Sequence, residues 1–271
     1  MLIAQITDFH IRLPGKLAYR RVDTAACLQR CVAQLMRERP LPDIVLATGD
    51  LVDFGRREEY RHLRELLAPL TMPVYLIPGN HDERSALREE FPDHAYLPRN
   101  GEFLQYTLEQ YPLRIVALDT VIPMEGGGTL CDKRLAWLAD RLAEDRTKPT
   151  VIIMHHPPFK TGIVHMDEIG LANADAFGRV IAPHPQVERI LCGHLHRSIQ
   201  ARFHGTLAST CPSPAHQVAL DLRADGPSLF VMEPPGYQLH YWTGGSLVTH
   251  TKCIGEFAGP YPFFENGALI D

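Results

Sequence analysis

Short apolar runs alternate along the first two thirds of the chain with segments whose apolar residues recur every three or four positions. The runs near Leu2–Thr7, Ile44–Ala47, Val74–Ile77, Leu113–Leu118, Thr150–Met154 and Glu188–Cys192 read as strands. Between them, Asp23–Glu38, Glu58–Ala68, Glu83–Glu90, Lys133–Ala143 and Asp175–Ile181 read as helices, with Asp23 placed to cap the first. This alternation predicts βαβ units, a largely parallel sheet and an α/β fold. Beyond about residue 198 the pattern changes to short extended runs at Gln200–Phe203, Gln217–Leu220, Ser228–Met232, Gln238–Trp242 and Ser246–Lys252, broken by Gly and Pro. They predict a meander forming a second, antiparallel sheet. Residues 255–271 set Phe257, Tyr261, Phe263 and Phe264 among Gly and Pro. A tail of that kind is expected to be covered, either by its own domain (1–254) or by a neighbouring subunit.

Composition narrows the choice of function. The 271 residues are 45% hydrophobic and 22% charged, ordinary for a globular protein. Lys+Arg at 27 against Asp+Glu at 32 gives a formal net charge of −5, so no general basic surface is offered to long nucleic acid. The arginines Arg56, Arg57, Arg61 and Arg64 are interleaved with Glu58, Glu59 and Glu65, which predicts a solvated, ion-paired helix face. Six cysteines form no Cys-x-x-Cys pair and read as buried thiols of a reducing compartment. The apolar start, Met1 to Ile6, is cut short by Thr7-Asp8 and lacks a basic leader, and no run approaches the ~20 apolar residues of a membrane span. A cytoplasmic protein that does not engage membranes is expected.

The chemistry lies in where the metal-capable side chains fall. Asp8 and His10, Asp50, Asn80 with His81 and Asp82, His155 with His156, and His194 with His196 each follow an expected strand. In an open α/β sheet those carboxyl ends share the edge at which ligands bind. Residues two apart in an extended segment point to one side, so Asp8 with His10, and His194 with His196, can each grip one centre. Gly49, Gly79 and Gly193 precede ligand candidates and permit close backbone approach. Imidazole, carboxylate and amide oxygen without thiolate favour Zn, Mn, Fe or Co over a structural cysteine-zinc site. Seven ligands are too many for one tetrahedral ion and suit two divalent ions sharing a carboxylate, with Asp50 as the natural bridge. Two such ions against two aspartates leave about +2, enough to hold a phosphate diester on an acidic protein. His156 is expected to support the site from behind.

Asp8-Phe9-His10, Gly49-Asp50, Gly79-Asn80-His81-Asp82, His155-His156-Pro157 and Gly193-His194-Leu195-His196 together resemble the signature blocks of the calcineurin-like metallophosphoesterases. Their spacing and the Ala258-Gly259-Pro260 tail are most similar to the bacterial glycerophosphodiesterase and class III cyclic-nucleotide phosphodiesterase branch. The resemblance implies a four-layer α/β/β/α sandwich of two mixed sheets, with a β-rich C-terminal extension. It implies one ion on Asp8, His10, Asp50 and His196 and a second on Asp50, Asn80, His155 and His194. By the same resemblance His81 faces the substrate, His216 stands behind the site and Tyr19 lies near it. The implied activity is hydrolysis of a small phosphodiester, a glycerophosphodiester or a cyclic nucleotide; the chemistry of such a step also calls for a proton donor at the leaving group, for which His81 and His216 are the candidates. The implied assembly is a homo-oligomer built in part by the tail. Two other readings stand beside it: a phosphomonoesterase or nucleotide phosphatase of the same superfamily, and a non-catalytic scaffold. Gly126-Gly127-Gly128 leaves no side chain where a relative has a serine supporting the amide ligand, so Asn80 is expected to be held differently. Arg12, Lys16, Arg20 and Lys160 are candidate phosphate contacts.

Overall fold

The computed structural model describes residues 1–270. Fifteen strands and six helices follow one another as β1 (Leu2–Ile6), α1 (Thr24–Leu35), β2 (Ile44–Thr48), α2 (Arg57–Leu67), β3 (Val74–Ile77), α3 (Arg84–Glu90), β4 (Tyr106–Leu108) and β5 (Arg114–Ala117). Then come α4 (Asp132–Glu144), β6 (Thr150–Met154), α5 (Val164–Asp167), α6 (Ala174–Ile181), β7 (Val187–Cys192), β8 (Gln200–Phe203) and β9 (Thr206–Thr210). The chain ends with β10 (Gln217–Val218), β11 (Phe230–Val231), β12 (Gly236–Trp242), β13 (Leu247–Cys253), β14 (Phe264–Glu265) and β15 (Ala268–Leu269).

Two mixed sheets form, ordered β13-β12-β1-β2-β3 and β4-β5-β6-β7-β9-β8. β1, β2 and β3 run parallel, as do β5, β6, β7 and β9, while the outer strands are antiparallel. The period of two along a strand explains how the sheets stack. Ile115, Ala117, Val151, Ile153 and Leu191 join the core shared with β1 to β3, whereas Val116, Ile152 and Ile190 face Leu138 of α4 and Phe177 and Ile181 of α6. With both faces covered, these strands need continuous apolar runs, which is what the sequence shows. The result is the expected α/β/β/α sandwich.

Of the separate antiparallel sheet expected from the C-terminal meander only the β10–β11 pair forms (Gln217↔Val231, Val218↔Phe230). β12 pairs with β1 (Leu2↔Tyr241, Gln5↔Gln238) and carries β13 with it, while β8 and β9 extend the sheet of β7. Local periodicity marks a strand but not its partner, and the open edges of β1 and β7 present unpaired backbone groups that these late strands satisfy. Further departures are local: β4, β9, the β14–β15 pair and the single turn α5 arise where no element was expected, and α1 stops at Leu35. Asp23 does cap α1, accepting from the Ala26 N–H at 3.0 Å. The basic face of α2 is ion-paired, though to α3 and the turn after it, through Arg57 to Glu89 and Glu90, Arg61 to Glu90 and Arg64 to Asp93. All six cysteines are free, and of these Cys131 is half-buried and Cys253 exposed rather than buried. Residues 255–270 are exposed throughout, including the β14–β15 hairpin.

Candidate metal centre

The loops after β1, β2, β3, β6 and β7 converge on one edge, and backbone bonds lock them together. Asp8 N–H donates to Gly49 O and His10 N–H to Asp50 O, both at 3.0 Å. Asp82 ties the loops of β2 and β3: its carboxylate accepts from the N–H groups of Leu51 (3.0 Å), Val52 (3.3 Å) and Gly79 (2.8 Å) and from the Tyr60 hydroxyl (2.8 Å). A side chain on Gly79 would collide with the Asp50 carboxylate and backbone, so glycine is required there for space.

The seven residues Asp8, His10, Asp50, Asn80, His155, His194 and His196 come together in two adjoining groups. In the first, His10 Nε2 lies 3.1 Å from His196 Nε2 and 3.6 Å from Asp50 Oδ2, with Asp8 Oδ1 3.8 Å from His196 Nε2. In the second, Asn80 Oδ1 is 3.1 Å from both His155 Nε2 and His194 Nδ1, and Asp50 Oδ2 is 3.4 Å from His155 Nε2. Asp50 Oδ2 thus faces both groups, while its Oδ1 accepts from the His81 N–H at 2.9 Å. The two-apart pairs meet by a different route from the extended one expected. Asp8, His10, Asp50, His194 and His196 all have positive φ, and they are five of the ten such non-glycine residues among those described. Each left-handed conformation costs on the order of 1–3 kcal/mol. That strain is concentrated at the one place where side-chain position matters more than local stability.

Outer partners decide which ring atoms look inward. His10 Nδ1 donates to Asp53 Oδ1 (3.2 Å), His196 Nδ1 to the His216 carbonyl (3.0 Å) and His155 Nδ1 to the Thr48 carbonyl (2.8 Å). With the proton on Nδ1, each Nε2 turns a lone pair toward the centre. Two lone pairs then face each other 3.1 Å apart in the first group, while in the second His155 Nε2 faces the oxygens of Asn80 and Asp50. Asp8 Oδ2 is buried beside the first group with no partner. Two facing lone pairs and an unpartnered carboxylate oxygen, all buried, are costly unless a cation lies between them.

The titration behaviour of the protein alone says the same. Burial pushes the Asp8 carboxyl up to about 7, with His155 opposing and Asp50 adding to the effect. Burial also works against charge on Asp50, but His155 and then His81 outweigh it and hold this carboxyl well below the usual range. On His155 the order is the same: burial disfavours the imidazolium, and Asp50 overcomes it, pushing the ring up to about 9. The charged His155 ring pairs with the Asp50 carboxylate. His194, depressed to about 3, and His196, also depressed, are held neutral by burial, as ligands must be.

The sequence profile of the calcineurin-like phosphoesterases matches residues 1–198. The chain belongs to that family. This phosphoesterase is 42% identical over 274 residues, covering all of both chains, to the probable glycerophosphodiester phosphodiesterase GpdQ of Arcobacter nitrofigilis. It is 30% identical over 259 residues, 94% of this chain and 91% of the other, to the 3',5'-cyclic adenosine monophosphate phosphodiesterase CpdA of Pseudomonas aeruginosa. In structure it matches a dimetal phosphatase from Danio rerio with a TM-score of 0.67 at 20% identity, over 94% of this chain and 96% of that one, a likeness of fold. A metal-dependent phosphodiesterase fits these relatives, and a binuclear site fits the His and Asp clusters.

The remaining candidates sort by position. His81 lines the central cleft, with its Nδ1 donating to the Asp53 carbonyl at 2.9 Å. His216 lines it too, and its ring is flanked by those of His10, Tyr19 and His196. His156 lies behind the site, its Nδ1 2.7 Å from the Thr120 hydroxyl and its Nε2 donating to the Gly126 carbonyl at 3.1 Å. A side chain on Gly128 would occupy the His156 ring, so the glycine run serves this histidine. Of the suggested phosphate contacts, Arg12 is taken by Asp53 at 3.0 Å, Lys16 and Arg20 stay outside the cleft wall, and Lys160 lines a neighbouring cavity. Arg21 lines the cleft instead. Asp53 was missed from sequence. Its position three after Asp50 was the only signal, and its role appears only when His10, Arg12 and His81 gather round it. Among the described residues no helix is long and apolar enough to cross a membrane.

Proposed function

We propose that this phosphoesterase hydrolyses small phosphodiesters, glycerophosphodiesters or cyclic nucleotides, at a pair of divalent ions drawn from Fe, Mn, Zn and Co. Asp8, His10, Asp50 and His196 would hold one ion and Asp50, Asn80, His155 and His194 the other. The observation that carries this reading is the pair of buried lone pairs on His10 and His196 Nε2 facing each other beside the unpartnered Asp8 carboxylate oxygen. Bound there, the ions would polarise the phosphoryl oxygens and acidify a water.

The chain's own groups supply the rest. Asp53, His216 and Thr48 fix the tautomers of His10, His196 and His155 through the hydrogen bonds above. His81 is the better candidate to donate to the departing alcohol oxygen: its Nδ1 is anchored on Asp53, its side chain is 34% exposed, and Nε2 remains free in the cleft. His216, pushed down to about 3 by burial and then by His10, is neutral and positions His196 through its backbone carbonyl. His81→Ala should slow a diester with a poor leaving group by about 10²–10⁴-fold while sparing an activated aryl diester. Equal loss on both substrates would remove His81 from leaving-group departure. The net charge of −5 favours small anions over long nucleic acid. The exposed tail aromatics Phe257, Tyr261, Phe263 and Phe264 support a homo-oligomer in which residues 255–271 contact another subunit.

The deciding experiment strips the protein of metal, reloads it with Mn²⁺, Co²⁺ or Zn²⁺, and compares a bis-aryl phosphate diester with the matching monoester, cyclic AMP and glycerophosphoethanolamine. Metal-stimulated turnover with diester preference is expected. Preference for the monoester would shift the reading to a phosphomonoesterase, and no turnover with any metal would leave a scaffold.

A further inference from the structure

Two clefts of unlike chemistry meet at the metal centre. The larger, about 860 Å³, is walled by Tyr19, Met166, Ile169, Phe230 and Met232. The smaller, about 470 Å³, opens between Phe54, Glu83, Met124 and Glu125. Asn80 and His81 line both, so the clefts diverge from the point where phosphorus must sit. The β10–β11 hairpin builds the apolar wall: Phe230 lies 5.1 Å from the Tyr19 ring at 32° and 5.3 Å from the His216 ring at 73°. Across the centre, Phe54, held under the Arg12 and Arg56 guanidinium groups at 4.4 and 5.1 Å, shares its cleft with the charged side chains of Asp53, Glu83, Arg84 and Glu125.

A phosphodiester presents two alcohol arms, and in-line displacement at phosphorus holds them apart. We propose that the two clefts receive the two arms separately, a bulky apolar or aromatic arm against Phe230 and a small polar arm beside Phe54. The protein is then shaped for unsymmetrical, acyclic diesters, and Phe230 and Phe54 set its specificity. A cyclic diester, whose two ester oxygens belong to one body, fills only one cleft. This assignment rests on the phosphodiesterase reading above.

The test uses full-length, manganese-loaded protein and two substrates with a common leaving group, methyl 4-nitrophenyl phosphate and bis(4-nitrophenyl) phosphate. KM and kcat are measured for wild type, Phe230→Ala and Phe54→Ala. Phe230→Ala should raise KM for both about five- to tenfold, because each substrate lays one aryl arm on that ring. Phe54→Ala should lower KM for the bis-aryl diester relative to the methyl ester by about threefold or more, because it admits the second ring. If Phe230→Ala does not fold, Phe230→Leu, which keeps bulk and removes the ring, reports the same KM change. An unchanged KM at position 230, or an equal shift of both substrates at position 54, overturns the two-cleft assignment. Absence of metal-stimulated diester turnover in the wild type overturns the phosphodiesterase reading instead.

Discussion

The buried histidine His240 and the group of buried histidines at the metal centre are finished to different degrees. Around His240, on β12, each polar atom meets a complement: Nδ1 lies 2.8 Å from the Thr249 hydroxyl, Nε2 3.1 Å from Gln5 Oε1, and Gln5 Nε2 donates to Thr48 Oγ1 and the Cys192 carbonyl. At the edge of the same two sheets, His10 and His196 turn acceptor toward acceptor beside the unpartnered Asp8 Oδ2, on backbone held in the left-handed region at three ligand-bearing loops. Burial and residue type are alike. What separates structure from function is whether the hydrogen-bond ledger closes without a ligand.

The most severe way to break the contrast is to remove the carboxylate that faces both halves of the centre. Asp50→Asn keeps shape and loses charge, and turnover should fall on the order of 10³-fold, the several kcal/mol of charge stabilisation that ions contribute at 1.36 kcal/mol per decade. Metal analysis of the purified variant should show fewer than two ions per chain. In wild type, adding metal at a hundredfold excess over its dissociation constant should stabilise the fold by about 2.7 kcal/mol, read as a melting rise of roughly 5–10 °C. Full activity or an unaltered ion count in Asp50→Asn would contradict the shared-ligand arrangement.

A subtler change sharpens it. Asp53 orients His10 without facing the centre's interior, and Arg12 holds Asp53 in turn. Asp53→Ala should weaken metal affinity by about 10–100-fold, typical of groups that fix a ligand's tautomer. Loss should fall on the ion held by His10, so titration should become biphasic, with one site near wild-type affinity. A single phase of unchanged midpoint would mean that His10 is oriented by something else.

These two residues also mark how far the sequence could be read. Asp50 was legible because Gly49-Asp50, Gly79-Asn80-His81-Asp82 and Gly193-His194-Leu195-His196 are compact blocks at strand ends, and chemistry-bearing residues at strand ends imply a common edge. Asp53 and the loop-tying role of Asp82 were not, because one partner of Asp53 is 43 residues away in sequence and Asp82 acts through backbone donors that no side-chain pattern reveals. The sandwich followed from the resemblance, while local periodicity alone put β8, β12 and β13 in the wrong sheet and only β10 and β11 in a sheet of their own. A strand's pattern reports which faces are buried; the pairing of β12 with β1, across most of the chain, is chosen by edges that exist only once the rest has folded. The left-handed conformations at Asp8, His10, His194 and His196 were equally invisible, since none of these residue types announces positive φ as glycine does.

The smallest expected effect concerns the closed group, and it follows from the sign of its titration. Burial, and then Arg189, pushes His240 down to about 3, so the ring is neutral in the folded protein at any ordinary pH. In the unfolded chain it titrates near 6.5. A group whose folded pKa lies below its unfolded one stabilises the fold while neutral, and that stability is lost as pH falls from about 6.5 toward 3. At pH 5 the loss from this residue amounts to roughly 2 kcal/mol, about 4–8 °C in melting temperature. The comparison belongs in metal-loaded protein, where the histidines of the centre give wild type and variant the same pH dependence and cancel in the difference. His240→Asn keeps a donor and an acceptor between Gln5 and Thr249 but cannot take a proton. The drop in melting temperature from pH 7 to pH 5 should therefore be smaller in the variant than in wild type by that amount. Equal drops in both proteins would mean that His240 is no more reluctant to charge than a histidine in water, and the closed hydrogen-bond pattern around it would lose its standing as the structural counterpart of the open one at the metal centre.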